Sequence, residues 1–469
     1  MEYIPTIGLE IHAELKTKTK MFCNSRNDPN EKRPNVNVCP VCMAHPGTLP
    51  VINKEAVKHV LKVGLALNGE LADYTEFDRK NYFYPDLPKG YQISQYKHPL
   101  VSGGSLNGIK LTRIHLEEDT ARSTHNVGEK SLVDFNRGGI PLMELVTEPV
   151  ITNAVDASNF AKELQLLLRY LGAGDANMEK GEMRVEANIS VSNTKDRGTK
   201  VEIKNLNSFK VVEKSIAYEI ERQTNILKNG EVVIQETRGW DENKQETFSQ
   251  RIKEDSHDYR YMPDPDLPKL KISEIRELGK EVLLNELPEL PWEKRERYTK
   301  ELGIKKEDSD LFIQNDYYRS ILEDLIIPAF KDDKKKLILA VNYITSDVVG
   351  IISRIGEKGF PLSHNFIELI EMIVSGKISS RAAKNILLIL ITKGGNPKKI
   401  AEDGGLIQDN NEEKIKEIIK EILAENKDVV KEYKNGKESA LQFLVGQGMK
   451  KSGGSANPEL LKTVLLKSL

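Results

Sequence analysis

The chain has few cysteines, few aromatic residues and no long apolar run. Of its 469 residues, three are cysteine and 6% are aromatic. Such an odd, sparse set of cysteines fits a reducing compartment better than a disulfide framework. No stretch approaches the roughly 18 consecutive apolar residues of a membrane span, and the first residues lack the basic and apolar regions of a secretory signal. We therefore expect a cytoplasmic protein that does not enter a membrane.

Several common catalytic sequences are also missing. The chain contains no G-x-x-x-x-G-K-[ST] phosphate loop, no G-x-G-x-x-G dinucleotide fingerprint and no H-E-x-x-H zinc helix. A net charge of −2 argues against indiscriminate binding of nucleic acid. Any ATP or RNA site must therefore be of another kind and depend on local patches.

The residue types that are present divide the chain near residue 293. The first 290 or so residues hold most of the glycine, proline and aromatic content, whereas long charged stretches with helical spacing follow Pro291. The length fits roughly two to four domains, and Asp403-Gly404-Gly405 is typical of a hinge. The predicted domains are 1–292, 293–405 and 406–469.

Periodicity predicts both strands and helices in the first domain. Apolar and polar residues alternate over 7–15 and 183–191, as in half-buried strands. Apolar residues recur at helical spacing over 160–171, after Ser208, and again over 412–426 in the tail. Because strands and helices do not alternate strictly, we expect an α+β fold with a central mixed or antiparallel sheet, followed by helical segments.

Four short segments of the first domain place carboxylates beside histidine, arginine, lysine or asparagine. Carboxylates on half-buried strands are costly unless they are paired or bind a metal. A hard cation such as Mg²⁺ takes oxygen ligands and substrate phosphates, so one interpretation is a phosphoryl-transfer site; simple ion pairs are the other, and the residues alone leave both open. The segments are GLEIH at 8–12, RIHLEED at 113–119, PLMELVTEP at 141–149 and VEIKNLNS at 201–208.

Two further segments have a composition suited to RNA. The segment RKNYFYPD at 79–86 mixes cations with aromatic rings, which favours stacking on an unpaired RNA end; a buried loop braced by Arg79 is the alternative. The last 39 residues, 431–469, carry seven lysines against three glutamates. This tail is a candidate for binding the body of an RNA by its shape, although a solvated lysine-rich face has the same composition.

Segments in order from residue 7 to residue 460 are similar to those of one enzyme family, the B subunits of tRNA-dependent amidotransferases. The resemblance covers essentially the whole chain and implies an N-terminal cradle domain with a central sheet, a helical domain and a small helical tail that resembles YqeY proteins. The segments that carry it are IGLEIHAEL, CPVC, DRKNYFYPDLPKGYQISQY, RIHLEEDTARSTH, SLVDFNRGGIPLMELVTEP, EIKNLNSF, QETRGWDE, DYRYMPDPDLP and KNGKESALQFLVGQGMKKSGGSANPELL.

The resemblance implies an activity, cofactors and partners. In this family, ATP and Mg²⁺ phosphorylate the side-chain carboxylate of Glu-tRNA(Gln) or Asp-tRNA(Asn), and ammonia then displaces the phosphate. The chain shows no amidase signature of its own. The resemblance therefore implies a heterotrimer with a partner amidase (the A subunit), which releases ammonia from glutamine, and with a small C subunit.

Site residues are implied in the same way, motif by motif. Lys204 and Asn205, with Asn207, are expected to donate to an oxyanion during amidation, although asparagines at strand ends also form turns. The implied magnesium ligands are Glu10, His12, Glu118, Glu144 and Glu202. The implied catalytic residues are Glu10, His12, Glu118 and Lys204. The implied cofactor-binding residues are Arg79, Lys80 and Asn205.

The cysteines depart from the family pattern. Members of the family often have four cysteines that form a structural zinc site, whereas this chain has Cys23, Cys39 and Cys42 and carries Ser25 where a fourth is expected. A tetrahedral site would need one more ligand, and His45 is the nearest candidate in the sequence. Zinc at these cysteines and three reduced thiols in a loop are both open.

Two other classes of function remain. A non-catalytic tRNA-binding scaffold would leave the polar clusters structural, and substitution of Glu10 or Glu118 by glutamine would not change turnover. A stand-alone ATP-dependent ligase would use free ammonia and would need no partner protein.

Overall fold

The first unit of the protein is organised by a ten-stranded sheet. In the computed structural model, which describes residues 2–127, 130–252, 259–356, 362–408, 412–452 and 456–469, the chain forms two units, Met1–Pro291 and Trp292–Leu469. The predicted limits of three domains, including the division of the helical part at residue 405, stay a prediction. The strands are β1 Ile4–Glu14, β2 Glu70–Leu71, β3 Tyr74–Thr75, β4 Asp78–Asn81, β5 Tyr91–Ser94, β6 Val101–Ser102, β7 Ser105–Leu106, β8 Ile109–Glu118, β9 Arg122–Val127, β10 Lys130–Asp134, β11 Pro141–Thr147, β12 Met183–Ser192, β13 Val201–Leu206, β14 Glu236–Asp241, β15 Glu246–Ile252, β16 Met262–Pro263 and β17 Leu270–Lys271.

The sheet is mixed, as the predicted α+β fold requires. Its order is β15-β14-β13-β12-β1-β11-β8-β6-β2, with β7 paired to β8. Within it only β13 and β14 pair in parallel; the other described pairs are antiparallel. The fold class expected from the sequence is confirmed.

The second unit is mostly helical, and in the first unit helices cover one face of the sheet. They are α1 Lys54–Ala66, α2 Ala154–Tyr170, α3 Phe209–Lys228, α4 Lys280–Asn285, α5 Pro291–Glu296, α6 Lys306–Gln314, α7 Asp316–Ser320, α8 Ile327–Phe330, α9 Lys334–Tyr343, α10 Val349–Ile355, α11 His364–Val374, α12 Ser380–Lys393, α13 Pro397–Asp403, α14 Glu412–Glu425, α15 Lys427–Lys434, α16 Ser439–Lys451 and α17 Pro458–Ser468. Short 3₁₀ or π-helical turns connect several of them.

Period two places the apolar side chains of β1 and β12 in the core. Leu9 and Ile11 of β1 are buried, as are Val185 and Ile189 of β12, so both predicted strands are confirmed. Each such side chain contributes about 1.5–3 kcal/mol when it leaves water. Helix α2 packs on β1 and helix α3 on β12. The alternate residues of these strands therefore form the other face of the sheet, which carries the polar side chains.

Helix α3 begins where the sequence predicts. Ser208 is its N-cap, and its side chain accepts a hydrogen bond from the backbone N–H of Val211 at 3.2 Å. Its inner face is less apolar than the helical spacing indicates, because Glu219 is fully buried among the apolar residues. The carboxylate accepts hydrogen bonds from Arg222 and from Thr247 of β15, which offset the cost of its burial.

The last four helices share a small apolar core. Ile415, Ile419 and Ile422 of α14 are buried against Leu444 of α16 and Leu461 of α17. The amphipathic helix predicted over 412–426 is thereby confirmed. The basic residues of this tail, with Lys450 and Lys462 among them, lie on its exposed surface.

One helical segment, Lys334–Ile355, is long and apolar enough to meet the length and composition of a membrane span. The sequence prediction that no stretch approaches such a composition was too strict. The same test is passed by core helices of soluble proteins. In this segment Asp347 forms a salt bridge with Lys384 of α12 at 2.8 Å, and Val341 and Ile344 are buried.

Candidate functional site

Three neighbouring strands carry His12, Glu144 and His115 in one row across the sheet. The register pairs His12 of β1 with Glu144 of β11, and Glu144 with His115 of β8. Directly paired residues of antiparallel strands project to the same face. The Nε2 atoms of both histidines lie 3.4 Å from the same atom, Oε2 of Glu144.

Two more carboxylates approach His12 from the same face. Its Nε2 atom lies 3.4 Å from Oε1 of Glu117 and 3.9 Å from Oε1 of Glu10. Glu117 is two residues from His115 on β8, and Glu10 is two residues from His12 on β1. Strand periodicity therefore gathers all four side chains, with Glu144, into one acid–histidine cluster, a name used below for Glu10, His12, His115, Glu117 and Glu144.

A lysine and two further glutamates extend this cluster along β12 and β13. Nζ of Lys204 lies 2.8 Å from Glu186 and 3.4 Å from Glu202, and Thr237 donates a hydrogen bond to Glu202 at 3.0 Å. Asn205 follows with a positive φ of 60° and is exposed, as expected of a turn-forming asparagine. The structure thus brings Lys204 and Glu202 to the cluster and turns Asn205 away from the buried face.

The cluster lies along a cavity of about 480 Å³ whose wall carries three tyrosines. Tyr96 and Tyr261 are stacked, with ring centroids 4.3 Å apart and an interplanar angle of 13°. Nζ of Lys80 lies 4.9 Å from the ring centroid of Tyr259. Lys80, Arg113 and Lys204 line the same cavity. Cations, carboxylates and aromatic faces therefore meet in one space, a combination suited to a phosphorylated ligand.

Burial and neighbouring charges shift the protonation of the cluster. Burial raises the pKa of Glu10 to about 7, with help from the charges of Glu144 and Glu186. Burial alone would lower the pKa of His12, but its hydrogen bonds to Glu117 and Glu144 outweigh burial and raise that pKa well above its usual range. Both shifts reduce the net negative charge of this group of buried carboxylates, because protonation neutralises Glu10 and makes His12 cationic.

The donor set of the cluster fits a hard divalent cation. Glu10, His12 and Glu144 each offer a ligand atom, and these atoms lie within 4.8 Å of one another. Carboxylate oxygens with one imidazole are ligands that Mg²⁺ or Mn²⁺ accepts, with water or phosphate completing the shell. Three of the predicted magnesium ligands are therefore together, and Glu202 lies on the same cavity.

Glu118, also predicted as a magnesium ligand, does not lie with Glu10, His12 and Glu144. It projects to the opposite face of β8 from Glu117, where both of its oxygens accept hydrogen bonds from Lys89, one at 2.6 Å, and the backbone N–H of Ile93 donates at 2.9 Å. It lines a separate cavity of about 260 Å³ with Cys23 and Cys42. Among the described residues, Glu117 occupies the place beside His12 that the sequence assigned to Glu118.

Arg79 is also held away from the cluster. Its Nε donates to Asp264 at 2.8 Å and a terminal nitrogen donates to Asp266 at 2.9 Å, and the guanidinium lies 4.3 Å from the ring centroid of Tyr91. Lys80, the next residue on β4, faces the cavity instead. The segment that follows is not a buried loop throughout, because Phe83 is 92% exposed.

The three cysteines form a second group of potential ligands. Their sulfur atoms lie within 4.8 Å of one another, and tetrahedral zinc with Zn–S bonds near 2.3 Å requires S···S separations of about 3.8 Å. The Ser25 hydroxyl lies 3.8 Å from Sγ of Cys42, whereas His45 is outside this group. Hydrogen bonding from Cys23 lowers the pKa of Cys42 to about 4, and Lys20, 3.9 Å away, adds to the effect. The group fits zinc with three thiolates and an oxygen ligand.

The sequence-based assignment left out four ionisable residues of the site and the tyrosines of its wall. His115, Glu117 and Arg113 stand at every second position of β8 and so share its polar face, a pattern that could have distinguished Glu117 from Glu118. The fourth, Glu186, lies on the ionisable face of β12. The tyrosines at 259 and 261 come from a distant segment, and no local pattern indicates their place.

Comparison with known proteins assigns the chain to a family. Residues 5–276 match the GatB/GatE catalytic domain, and residues 329–469 match the GatB domain that resembles YqeY. Proteins named as the B subunit of aspartyl/glutamyl-tRNA(Asn/Gln) amidotransferase are similar over the full length: that of Crocosphaera subtropica is 43% identical over 100% of this chain and 98% of its own, that of Persephonella marina 42% over 99% of each, and that of Thermodesulfovibrio yellowstonii 42% over 100% of each. The chain therefore belongs to the family of amidotransferase B subunits.

Proposed function

We propose that this chain activates the side-chain carboxylate of glutamate or aspartate carried on tRNA and converts it to the amide. ATP transfers its terminal phosphoryl group to the carboxylate, giving an acyl phosphate and ADP. Ammonia then attacks the carbonyl carbon, the C–N bond forms, and inorganic phosphate leaves. The first step is needed because ammonia does not displace oxide from a carboxylate. The products are Gln-tRNA(Gln) from Glu-tRNA(Gln) and Asn-tRNA(Asn) from Asp-tRNA(Asn).

The acid–histidine cluster, with its cavity of about 480 Å³, is the observation that carries this proposal. Phosphoryl transfer depends on positioning and on stabilising negative charge, and needs little covalent chemistry from the protein. The relatives of this chain are named tRNA amidotransferase B subunits. The buried carboxylate and imidazole ligands, which lie beside three cations, are suited to the same reaction.

Glu10, His12 and Glu144 would hold Mg²⁺. When bound, the cation neutralises charge on the transferring phosphoryl group and keeps it in line with the attacking carboxylate. Lys80 and Arg113 line the same cavity, with a terminal nitrogen of Arg113 3.6 Å from Oε1 of Glu144, and we assign them to the phosphate oxygens. Lys204, held by Glu186 and Glu202, is placed to stabilise the oxyanion of the amidation step.

Glu118 is assigned a different task from the predicted one. Because its carboxylate is bonded to Lys89 on the opposite face of β8, it positions Lys89 and is not a ligand of this cation. Arg79 likewise acts by fixing its strand to Asp264 and Asp266. Asn205 is exposed and its direct contact with a cofactor stays a prediction.

Two surfaces are proposed to contact tRNA. The aromatic loop 82–86, with Phe83 and Tyr84 exposed, is suited to stacking on the unpaired acceptor end. The tail formed by α14 to α17 presents exposed lysines to the sugar-phosphate backbone of the tRNA body. The ammonia comes from the partner amidase, and a small C subunit completes a heterotrimer in the cytoplasm.

Reconstitution with the partner amidase tests this assignment. ATP cleavage dependent on Glu-tRNA(Gln), amidation and glutaminase activity are measured with the wild-type chain and with His12→Gln. Loss of one cation ligand should lower ATP cleavage and amidation by roughly 10² while glutamine hydrolysis by the partner continues. His98→Gln is the matched control, since His98 lies outside the cluster and pairs with Glu76.

The same assay separates the two other classes of function. A tRNA-binding scaffold predicts that His12→Gln turns over as the wild type does, which would contradict the proposal. A stand-alone ligase predicts that the chain amidates Glu-tRNA(Gln) with ammonium salt as fast without the partner as the complex does with glutamine.

A further inference from the structure

Lys20 has no exposed surface, although it carries an ammonium group. Lysine is almost never fully buried unless it is paired with an anion, because an uncompensated buried charge is costly. Its Nζ atom donates a hydrogen bond to the backbone carbonyl oxygen of Phe135 at 3.0 Å and lies 3.9 Å from Sγ of Cys42. Among the described residues no carboxylate lies within 4.0 Å of this atom; the charge of Glu118 acts from farther away and is already paired with Lys89. The anion that balances Lys20 must therefore come from the cysteines.

A short turn brings Lys20 to the cysteines. The backbone N–H of Lys20 donates to the carbonyl oxygen of Ser25 at 2.9 Å, and the Ser25 hydroxyl lies 3.8 Å from Sγ of Cys42. The lysine and the position that lacks a fourth cysteine therefore lie on one turn and approach the same sulfur atom. Gly139 packs on the aliphatic part of the lysine, since a Cβ there would lie 3.4 Å from Cδ of Lys20. The side chain is thereby enclosed, and its charge lies beside sulfur and not in water.

The sulfur atoms of Cys23, Cys39 and Cys42, below called the three-cysteine group, lie within 4.8 Å of one another. We infer that Lys20 is the charge partner of this group and enables it to bind zinc without a fourth thiolate. Three thiolates and Zn²⁺ together carry one net negative charge, which Lys20 cancels. A fourth thiolate would leave one negative charge uncompensated in a partly buried site. The neutral Ser25 and the buried Lys20 therefore belong to the same zinc site.

Lys20 acts through Cys42 and is not itself a ligand, because an ammonium group has no lone pair to offer a metal. Sγ of Cys42 already accepts a hydrogen bond from the backbone N–H of Cys39 at 3.1 Å, and Lys20 adds a positive charge at 3.9 Å. Both stabilise negative charge on sulfur, the form in which cysteine binds zinc. Groups of this kind, which contact a ligand and not the metal, orient the ligand and tune the affinity of the site.

Zinc binding to the purified full-length chain, measured by competition with a chromophoric chelator, tests the inference. Lys20→Gln removes the charge and keeps an amide donor for the Phe135 carbonyl, whereas Lys20→Met removes both. Both variants should lower the zinc affinity by about tenfold or more. Lys16→Met is the matched control, because Lys16 is exposed and pairs with Asp175; it should change the zinc affinity by less than about threefold.

The cobalt form separates loss of the charge from loss of the fold. Positive charge beside Cys42 stabilises the sulfur electrons, so the thiolate-to-cobalt absorption should move to longer wavelength in Lys20→Gln and keep its intensity. If Lys20→Met does not fold, Lys20→Gln carries the test alone. Wild-type zinc affinity in Lys20→Gln would overturn the inference and assign Lys20 to its hydrogen bond with Phe135, and a wild-type chain that binds no zinc would overturn it as well. The proposed function is tested separately, since Cys23 and Cys42 line a different cavity from the acid–histidine cluster.

Discussion

His12 and Glu144 stand directly opposite each other in the pairing of β1 with β11, and Nε2 of His12 lies 3.4 Å from Oε2 of Glu144. This contact exists only in one register, because a shift of one residue would turn either side chain to the apolar face. The apolar residues of β1, Leu9 and Ile11, fix that register by their burial. The same alternation that builds the core therefore aligns the ligands of the site.

Adjacent carboxylates on β8 should differ in their effect on cation binding. Glu117 faces His12, whereas Glu118 is bonded to Lys89 on the opposite face. We expect Glu117→Gln to weaken binding of Mg²⁺, measured by isothermal titration calorimetry, by at least about tenfold, and Glu118→Gln to change it by less than about threefold. Equal losses in both variants would contradict the assignment of the two carboxylates to different faces.

Zinc binding should improve when the missing cysteine is restored. Ser25 lies 3.8 Å from Sγ of Cys42 and offers a weaker ligand than thiolate. Ser25→Cys should raise the zinc affinity by about tenfold or more, read from metal content after dialysis against a competing chelator and from the thiolate-to-metal absorption of the cadmium form. Ser25→Ala should lower it. An unchanged affinity in both variants would show that position 25 is not a ligand.

Stability should depend on pH through Glu14. Burial, with the charge of Asp119, raises its pKa from 4.5 to about 8. The protonated form is thus favoured by folding, so its stabilisation is complete below about pH 4.5 and is lost as pH rises through about 8. Because glutamine cannot ionise, Glu14→Gln should gain about 2 kcal/mol of unfolding free energy relative to wild type between pH 6 and pH 9.

Urea unfolding at the two pH values measures this difference. The exposed Glu221→Gln is the control and should show the same difference from wild type at both. If the free energy of unfolding of Glu14→Gln differed from that of the wild type by the same amount at both pH values, Glu14 would be ionised in the folded protein throughout this range.

Charge reversal in the tail should weaken tRNA binding without harming catalysis. Lys450 and Lys462 are exposed on α16 and α17. The double variant Lys450→Glu, Lys462→Glu should raise KM for Glu-tRNA, lower the salt dependence of binding by about one unit of slope for each lost phosphate contact, and leave glutamine hydrolysis unchanged. Reversal of Lys331 and Lys335, which are exposed outside the tail, is the control. An unchanged KM would contradict the proposal that the tail contacts tRNA.

The sequence predicts much of this fold because the patterns are local. Alternation over β1 and β12 and helical spacing in α2, α3 and α14 identify elements whose apolar faces are buried as expected. This reasoning does not predict the burial of Glu219, because one of its partners, Arg238, lies on β14. A buried charge is tolerated only where it is compensated. Arg222 lies on the same helix, but Arg238 and Thr247 come from other strands, and periodicity carries no information on such distant residues.

The site is predictable in part for the same reason. Glu10, His12 and Glu144 lie on strands whose periodicity is visible, so their meeting follows from the register. Glu118 was expected with them, but it ends its strand and is bonded to Lys89 from a separate loop. The alternation of residues along β8 favours Glu117 as the residue beside His12. The position of Glu118 depends on the loop that carries Lys89, which the local sequence of β8 does not predict.

The most direct test of the central claim is to trap the activated carboxylate. The complex is incubated with Glu-tRNA(Gln), ATP and Mg²⁺ in the absence of glutamine, with hydroxylamine as the nucleophile, and the glutamyl hydroxamate on tRNA is measured together with ADP. The wild-type chain should form both in equal amounts, and Glu144→Gln should lower both by roughly 10² while still binding tRNA. Equal hydroxamate formation by Glu144→Gln and the wild type would contradict the assignment of carboxylate activation to the acid–histidine cluster.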